Sequence, residues 1–327
     1  MNNNFKWGII GPGRIANNYA KAINVIDNAI IYAVASRSEE RAKNFASQYN
    51  IENIFTSYEE LLNDKNIDAV YISTPHRFHF EQAKLALNAG KPILCEKPLT
   101  VNSAEAKELF KLAKEKKIFL MEALWTRYLP IYNVVRKWLD ENLIGDIKLL
   151  TSTFGYVFER NLTDRKFNHE LAGGALLDLG IYPIAISQWV LRKNPESFTA
   201  SGYLGETNVD EMTAVNLNYG NGVISQFSCN MLSTNENDFL IYGSKGYIRI
   251  HKMFWGATKA TLYLGEKEIT EEQPLRASGF EYQIEEAMNC IKSGKIESDE
   301  MTHERTLANM ELMDKIRNQI GLKYSFE

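Results

Sequence analysis

The pattern of apolar and polar positions changes near residue 122. Before that point, short continuous apolar runs alternate with segments of helical period; the runs are 6–10, 29–35, 67–73, 92–95 and 118–121. Continuous apolar runs are typical of parallel strands that are covered on both faces. Strands separated by helices predict βαβ units with right-handed crossovers. We therefore expect residues 1–122 to form an α/β domain, a Rossmann domain with a doubly wound parallel sheet.

Residues 123–327 follow a different pattern. A long strand is predicted over 146–158, and strand patterns follow one another from 197 to 269, with turn signals at Asn221-Gly222 and Lys245-Gly246. Helical patterns occur near 132–141, 175–191, 280–292 and 304–319. This order predicts a C-terminal α+β domain that carries a large, mostly antiparallel open sheet.

Composition excludes several classes of protein. The 327 residues carry a net charge of −4 without a basic stripe, so we expect no nucleic-acid partner. No apolar run approaches the roughly 18 residues of a membrane helix, and the strand that begins at Phe5 leaves no room for a signal peptide. The three cysteines lie far apart, which favours a reducing, cytoplasmic location and argues against disulfides or a zinc site.

A glycine-rich loop follows the first strand. Gly11-Pro12-Gly13-Arg14-Ile15-Ala16 matches the G-x-G-x-x-G/A pattern, in which the first glycine permits a tight turn and the second lets the backbone approach a pyrophosphate. Backbone N–H groups at Arg14 and Ile15 would then bind phosphate at the helix N-terminus. Because the loop joins a buried strand to a helix, it predicts a dinucleotide site.

The end of the second strand bears on the choice of coenzyme. A carboxylate that binds the ribose 2′-hydroxyl is expected there, but the chain has Ser36-Arg37, with Arg41 one turn into the next helix. A hydroxyl and guanidinium groups suit a 2′-phosphate, so we prefer NADP, with NAD less favoured. The alternative is that Arg37 is an ordinary solvated side chain.

Two further loops lie where the strands of such a sheet end. They are Ser73-Thr74-Pro75-His76 and Cys95-Glu96-Lys97-Pro98, and we expect Thr74, Pro75, Glu96 and Lys97 to contact the coenzyme. A lysine in this crevice can hydrogen-bond a substrate oxygen, although a lone Lys-Pro is more often a surface turn.

His76 and His79 lack a neighbouring carboxylate or thiol at ligand spacing. We therefore predict no metal site. We expect His79 to line the coenzyme groove or to cap the next helix.

Three separated motifs together resemble one family. They are the glycine loop, Glu96-Lys97-Pro98 and the segment Ala172-Gly173-Gly174-Ala175-Leu176-Leu177-Asp178-Leu179-Gly180-Ile181-Tyr182. This set, over essentially the whole chain, resembles the Gfo/Idh/MocA oxidoreductases. The stretch from Phe119 to Arg127 is similar to the dimeric dihydrodiol dehydrogenase / NADP-dependent D-xylose dehydrogenase branch.

The resemblance implies that Lys97, Asp178 and Tyr182 are catalytic. Many members have histidine where this chain has Tyr182. A tyrosine with a pKa near 10 needs a nearby cation to act as a base, and Lys97 is the candidate. Asp178 would orient Lys97 or a substrate hydroxyl. Tyr182 can also be read as a core residue of an apolar helix.

Four aromatic residues are candidates for the substrate pocket. Trp125 and Phe154 are implied by the resemblance, and Trp255 and Phe280 are possible further walls. Large aromatics are usually core residues, so Phe154 and Phe280 are equally well explained by packing.

The sequence thus predicts an NADP-dependent dehydrogenase that interconverts a secondary alcohol and a carbonyl on a sugar, polyol or trans-diol. The alternatives are an NAD-dependent inositol- or glucose-type dehydrogenase and a non-catalytic NADP-binding regulator. We expect a small-molecule substrate, no membrane partner, and a homodimer or higher homo-oligomer formed through the C-terminal sheet.

Overall fold

A computed structural model describes residues 4–327, and the chain divides into two compact units. The first unit contains the chain up to Trp125 and the segment Arg276–Leu307; the second contains Thr126–Leu275 and Ala308–Glu327. These units differ from the predicted domains, 1–122 and 123–327, chiefly in the segment Arg276–Leu307. Its helical pattern shows that one face is apolar, but not which sheet that face covers.

A parallel sheet forms the core of the first unit. Its six strands are β1 (Phe5–Ile10), β2 (Ala29–Ala35), β3 (Asn53–Phe55), β4 (Ala69–Ile72), β5 (Ile93–Glu96) and β6 (Leu120–Ala123). They lie in the order β3-β2-β1-β4-β5-β6, and all five neighbouring pairs are parallel. This order places the carboxyl ends of β1 and β4 side by side, which is where doubly wound sheets bind their ligands.

Helices follow the strands of this sheet: α1 (Arg14–Ile23), α2 (Glu39–Tyr49), α3 (Tyr58–Asn63), α4 (His79–Asn88) and α5 (Ser103–Lys116). Ser38 caps α2, since its hydroxyl accepts a hydrogen bond from the N–H of Arg41. β3 and α3 were not predicted. β3 is an edge strand of three residues and α3 a helix of six, and both are too short to show a clear periodicity.

The returning segment of the first unit carries α8 (Glu281–Lys292). The Ser278 hydroxyl just before it donates to the carbonyl of Asn18 on α1, at 2.7 Å. The last helix, α9 (His303–Ile320), begins in this unit and continues into the second.

The second unit is built on an eight-stranded sheet. Its strands are β7 (Ile147–Gly155), β8 (Ser197–Leu204), β9 (Asp210–Asn218), β10 (Ile224–Asn230), β11 (Phe239–Gly243), β12 (Tyr247–Ile250), β13 (Lys259–Leu264) and β14 (Lys267–Glu272). The order is β14-β13-β12-β11-β7-β10-β9-β8, and of the pairs described in this sheet only β7 and β10 are parallel. The predicted fold class is therefore confirmed, and both turn signals lie in hairpins, β9–β10 and β11–β12.

Side chains alternate across this sheet. On β9, Val215 and Leu217 are buried whereas Ala214 and Asn216 are exposed. One face therefore packs against α6 (Pro130–Asp140) and α7 (Ile181–Leu191), and the exposed face carries mostly small or polar side chains together with the large apolar Met212 and Ile224.

The helical stretch His169–Leu191 corrects one expectation. By length and composition it is apolar enough to cross a membrane, contrary to the prediction that no segment is. However, 83% of its most apolar window is buried inside the structure, as in a core helix. Its middle turn, Leu176–Gly180, is a π-helix that leads into α7. Such turns are rare and often occur at functional sites.

Candidate active site

The glycine loop joins β1 to α1 in the predicted geometry. Gly11 has a φ of +86°, and a Cβ at this position would lie 2.4 Å from Cγ2 of Thr74. A glycine is therefore required at this position by the backbone and by the neighbouring loop. Ala16 is fully buried, as expected for the small residue that lets the helix pack against the strand.

Gly13 is the N-cap of α1, and no side chain caps the helix there. The residue is exposed, and the atom nearest to a Cβ at Gly13 would be a carbonyl oxygen 3.6 Å away. The exposed residue Arg14 and the half-buried residue Ile15 form the first turn. This end of the helix presents backbone N–H groups beside a residue without a side chain, which suits a pyrophosphate.

The end of β2 carries the two residues predicted to select the coenzyme. Ser36 is buried, and its hydroxyl accepts a hydrogen bond from the N–H of Ser38. Arg37 is exposed and lies over the ring of Phe78, with its guanidinium carbon 5.1 Å from the ring centroid. Arg41 is exposed one turn into α2. The cationic groups at this edge are thus accessible to a phosphate.

His79 connects the two loops at the carboxyl ends of β4 and β5. It is fully buried; Nε2 lies 2.8 Å from the carbonyl oxygen of Thr74 and Nδ1 lies 2.9 Å from that of Pro98. A neutral imidazole donates to one of these carbonyls, and a protonated one donates to both. From its buried position, His79 therefore connects the Thr74-Pro75 loop to the Lys97-Pro98 loop.

The neighbouring residue His76 is buried, and its ring centroid lies 5.8 Å from that of His79. Across residues 4–327, no group of three or more His, Cys, Asp or Glu side chains is arranged to hold a metal ion.

The Lys97 loop is fixed by buried carboxyl groups on both sides. Glu96 accepts a hydrogen bond from the hydroxyl of Tyr71 at 2.5 Å, and burial together with Glu96 raises the pKa of Tyr71 well above its usual value. Glu122 on β6 accepts from the backbone N–H of Leu99 at 2.9 Å. Lys97 itself is half-buried. The lysine thus stands on a loop whose backbone is held at several points.

In the second unit, Asp178 lies in the π-helical turn and Tyr182 in the first turn of α7. The Asp178 carboxylate pairs with the guanidinium of Arg165, with N–O distances of 3.3–3.4 Å. Arg165 comes from the loop after β7 and is 44% exposed. Asp178 therefore has a cationic neighbour on its own unit, which the sequence analysis did not identify.

The aromatic candidates form two separate pairs. In the second unit, Phe154 and Trp255 stack with centroids 3.6 Å apart and planes 9° apart. Tyr182 packs on Phe154 at 5.7 Å. In the first unit, the rings of Trp125 and Phe280 lie 5.0 Å apart. The structure thus brings Phe154, Trp255 and Tyr182 into one cluster.

The turn that leads to Asp178 is held by Asp210 and Tyr324. The Asp210 carboxylate accepts hydrogen bonds from the N–H of Leu176 and the hydroxyl of Thr213, each at 2.7 Å. Burial raises the pKa of Asp210 to about 7. The Tyr324 hydroxyl donates to the carbonyl of Gly173 at 2.6 Å.

Four residues that contact the Lys97 loop or the turn of Asp178 were not predicted from the sequence: Glu122, Arg165, Asp210 and Tyr324. Only Glu122 carries a signal, as a lone charge inside the apolar stretch from Phe119 to Leu124.

Comparison with known proteins assigns the family. Residues 5–124 match the model of the oxidoreductase family with an NAD-binding Rossmann fold, GFO_IDH_MocA. Residues 132–249 match the GFO/IDH/MocA C-terminal domain. The chain belongs to the Gfo/Idh/MocA family. The predicted resemblance is thus confirmed, and so is the prediction of an NAD(P)-dependent dehydrogenase acting on CH–OH groups.

Several relatives match over nearly the whole chain. Proteins named trans-1,2-dihydrobenzene-1,2-diol dehydrogenase are 35% identical in Xenopus tropicalis and 33% identical in Mus musculus. The matches cover 98% of this chain in both cases, and 99% and 98% of the respective relatives. This similarity confirms the predicted likeness to the dihydrodiol dehydrogenase branch.

Solved structures show the same fold. A 3-ketoreductase from Actinomadura kijaniata, in complex with NADP and TDP-benzene, is 27% identical with a TM-score of 0.88, over 97% of this chain and 98% of that one. An aldose-aldose oxidoreductase from Caulobacter crescentus shares the fold, with a TM-score of 0.89 at 20% identity over the same shares of the two chains.

Proposed function

We propose that this protein is an NADP-dependent dehydrogenase that interconverts a secondary alcohol and a carbonyl, and that its substrates are trans-diols, sugars or polyols. The observation that carries the proposal is the full-length similarity to enzymes named for a trans-dihydrodiol. The stacked aromatic pair Phe154 and Trp255 supports it, since flat aromatic faces suit both sugar rings and cyclic diols.

The residues at the glycine loop fit a dinucleotide. The uncapped N-terminus of α1 would hold the pyrophosphate, and the missing side chain at Gly13 would let the backbone approach it. The bound nicotinamide coenzyme supplies hydride acceptance and donation. When an alcohol is oxidised, the C–H bond breaks with its electron pair, and the hydroxyl proton has to pass to a protein group.

We propose that Lys97 and Tyr182 handle this proton. A protonated lysine stabilises a tyrosinate or a developing alkoxide, and the tyrosine hydroxyl exchanges the proton with the substrate oxygen. Asp178, paired with Arg165, would remain ionised and accept a hydrogen bond from a neighbouring substrate hydroxyl. The structure supports the rigidity that this role requires, because the loop of Lys97 is held by His79 and Glu122.

Substitution of Lys97 tests the mechanism. Initial rates with NADP⁺ should be screened against trans-dihydrodiols, aldoses and inositols, and Lys97→Met should then lower kcat by roughly 10²–10⁴-fold on the active substrate. Its Kd for NADPH, measured by coenzyme fluorescence, should stay within about threefold of the parent value, as expected if the substitution affects the chemical step and not coenzyme binding. Lys65→Met, at an exposed loop position, is the matched control. Normal turnover of Lys97→Met would refute the mechanism.

We further propose NADP over NAD as the coenzyme. The support is the exposed guanidinium of Arg37 at the end of β2, where a carboxylate would repel a 2′-phosphate. Arg37→Ser should weaken NADPH binding by about 10–100-fold and leave NADH binding nearly unchanged, because a hydrogen bond to a charged group contributes roughly 1.5–3 kcal/mol. Equal losses of affinity for NADPH and NADH in a titration would show that Arg37 does not bind the 2′-phosphate.

We also propose a cytoplasmic homodimer or higher homo-oligomer. The three cysteines are free and buried, which suits a reducing compartment. The exposed face of the eight-stranded sheet supports self-association.

A further inference from the structure

Glu122 is a buried carboxyl group that the proposed mechanism uses only as a support for the Lys97 loop. It lies on β6, where it pairs with Cys95 of β5, and its side chain is 1% exposed. The residue therefore sits one strand away from Lys97, inside the first unit. A carboxyl group at such a depth is costly unless its oxygens are hydrogen-bonded.

Both oxygens of Glu122 have partners. Oε1 accepts from the backbone N–H of Leu99 at 2.9 Å, two residues after Lys97, and Oε2 accepts from the hydroxyl of Thr306 at 3.0 Å. Thr306 is in the first turn of α9. One side chain thus links the Lys97 loop to β6 and to a helix, and fixes the backbone that carries the lysine.

The charge of Glu122 also interacts with that of Lys97. Burial raises the pKa of Glu122 to about 7, whereas the hydrogen bonds from Leu99 and Thr306 and the charge of Lys97 all oppose this rise. Cys95 and Glu96 are the other titratable groups that interact with it. The attraction is mutual, so the ionised carboxylate favours the ammonium form of Lys97.

We propose that Glu122 is a positioning residue, whose carboxylate fixes the backbone of the Lys97 loop and keeps the Lys97 amine protonated. The proposal rests on the proposed function only for what Lys97 does to the substrate. The effect on Lys97 itself exists without turnover, and it can be measured separately.

The direct test is the titration of Lys97 in the full-length chain. Protein with ¹³C-labelled lysine is titrated by NMR, and the Lys97 signal is assigned by its loss in Lys97→Arg. In the parent protein the signal should shift near pH 7, as Glu122 ionises. In Glu122→Gln this step should disappear, and Lys97 should lose its proton at a lower pH, by roughly one unit.

Two further variants separate charge from structure. Thr306→Val removes one hydrogen bond to the carboxylate, so the step near pH 7 should move to higher pH. Glu105→Gln is the matched control, because Glu105 also accepts from a backbone N–H of this loop, that of Val101, at 3.2 Å. We expect the Lys97 titration to be unchanged in this control. If Glu122→Gln leaves it unchanged as well, or Thr306→Val fails to move the step, the proposal is overturned.

The kinetic readout distinguishes this proposal from the proposed function. Glu122→Gln should lower kcat about tenfold at pH 8 and abolish the change in kcat with pH that the parent protein shows near pH 7. KM for the coenzyme should stay within about twofold of the parent value. A merely structural role would lower kcat without changing the shape of the profile. If no substrate is turned over but the Lys97 titration responds as expected, the proposed function fails and the role of Glu122 stands.

Discussion

Gly11 and Gly13 lie in the same loop but are required for different reasons. Gly11 has a positive φ, and a methyl group there would clash with Thr74. Gly13 has a φ of −89°, which any residue adopts, and a Cβ there would make only ordinary van der Waals contacts. The fold therefore does not require a glycine at this position, and we propose that its missing side chain allows the approach of a ligand.

Alanine substitution should separate these two requirements. Gly13→Ala should melt within about 1 °C of the parent protein and bind NADPH at least tenfold more weakly, since the methyl group fills the space for the pyrophosphate. Gly11→Ala should lower the stability by roughly 1–3 kcal/mol, because it forces a side chain into a strained backbone region. Thermal melts and coenzyme titrations give both results. Unchanged NADPH binding by Gly13→Ala would place the pyrophosphate elsewhere.

Residues on the loops next to strand ends could be proposed from the sequence. The residues that hold these loops or pair with them could not. Gly11, Arg37 and Lys97 were proposed from their types and spacing, and in the structure they follow the carboxyl ends of β1, β2 and β5. Arg165 was missed because no periodic pattern fixes the conformation of its loop. His79 was predicted to line the groove or to cap the next helix; in the structure it is fully buried and its ring connects two loops.

At the scale of elements, long periodic segments were predictable and short ones were not. The parallel strands and the hairpins of the second sheet follow from their apolar patterns and turn residues. In contrast, β3 and α3 are too short to show a period, and the π-helical turn at Leu176–Gly180 depends on tertiary contacts. One such contact is the carboxylate of Asp210, which accepts from the N–H at the start of that turn.

The buried Asp210 carboxyl should make stability depend on pH. Its pKa is raised to about 7, so between roughly pH 4 and pH 7 the folded chain keeps a proton that the unfolded chain has released. The contribution of this group to stability is therefore largest at low pH and falls as pH rises through that window, by up to about 4 kcal/mol.

Asp210→Asn tests this dependence, since its amide oxygen still accepts from Leu176 but has no charge to bury. In urea unfolding, the free energy of unfolding of the variant relative to that of the parent protein should rise by a few kcal/mol between pH 5 and pH 8. Asp164→Asn is the control: the pKa of Asp164 is lowered, so its carboxylate is ionised in both states over this range. A difference between Asp210→Asn and the parent that does not change with pH would contradict the burial argument.

At the scale of the whole molecule, the exposed face of the second sheet is the feature that the chemistry leaves unexplained. A shallow trough of about 750 Å³ runs along β7, β9 and β10 on this face. Its floor carries small or polar side chains, such as Thr151, Ala214 and Gln226. Near the other edge, Tyr247 and Tyr263 stack at 4.3 Å. Glu236 and Asp238 are charged residues that line the trough, and Arg249 pairs with both, so this wide face offers matched charges and a polar floor to a second copy of the same surface.

A charge in the centre of this face should prevent self-association. In a two-fold dimer the same patch meets itself, so Ala214→Glu places like charges close together across the interface. Because Ala214 is exposed, the protomer should keep its circular dichroism and melting temperature at low concentration. Light scattering coupled to size exclusion should show a dimer for the parent chain and for Lys65→Glu, and a monomer for Ala214→Glu. A monomeric parent chain would refute the oligomer itself, whereas a dimeric Ala214→Glu protein would move the interface to another surface.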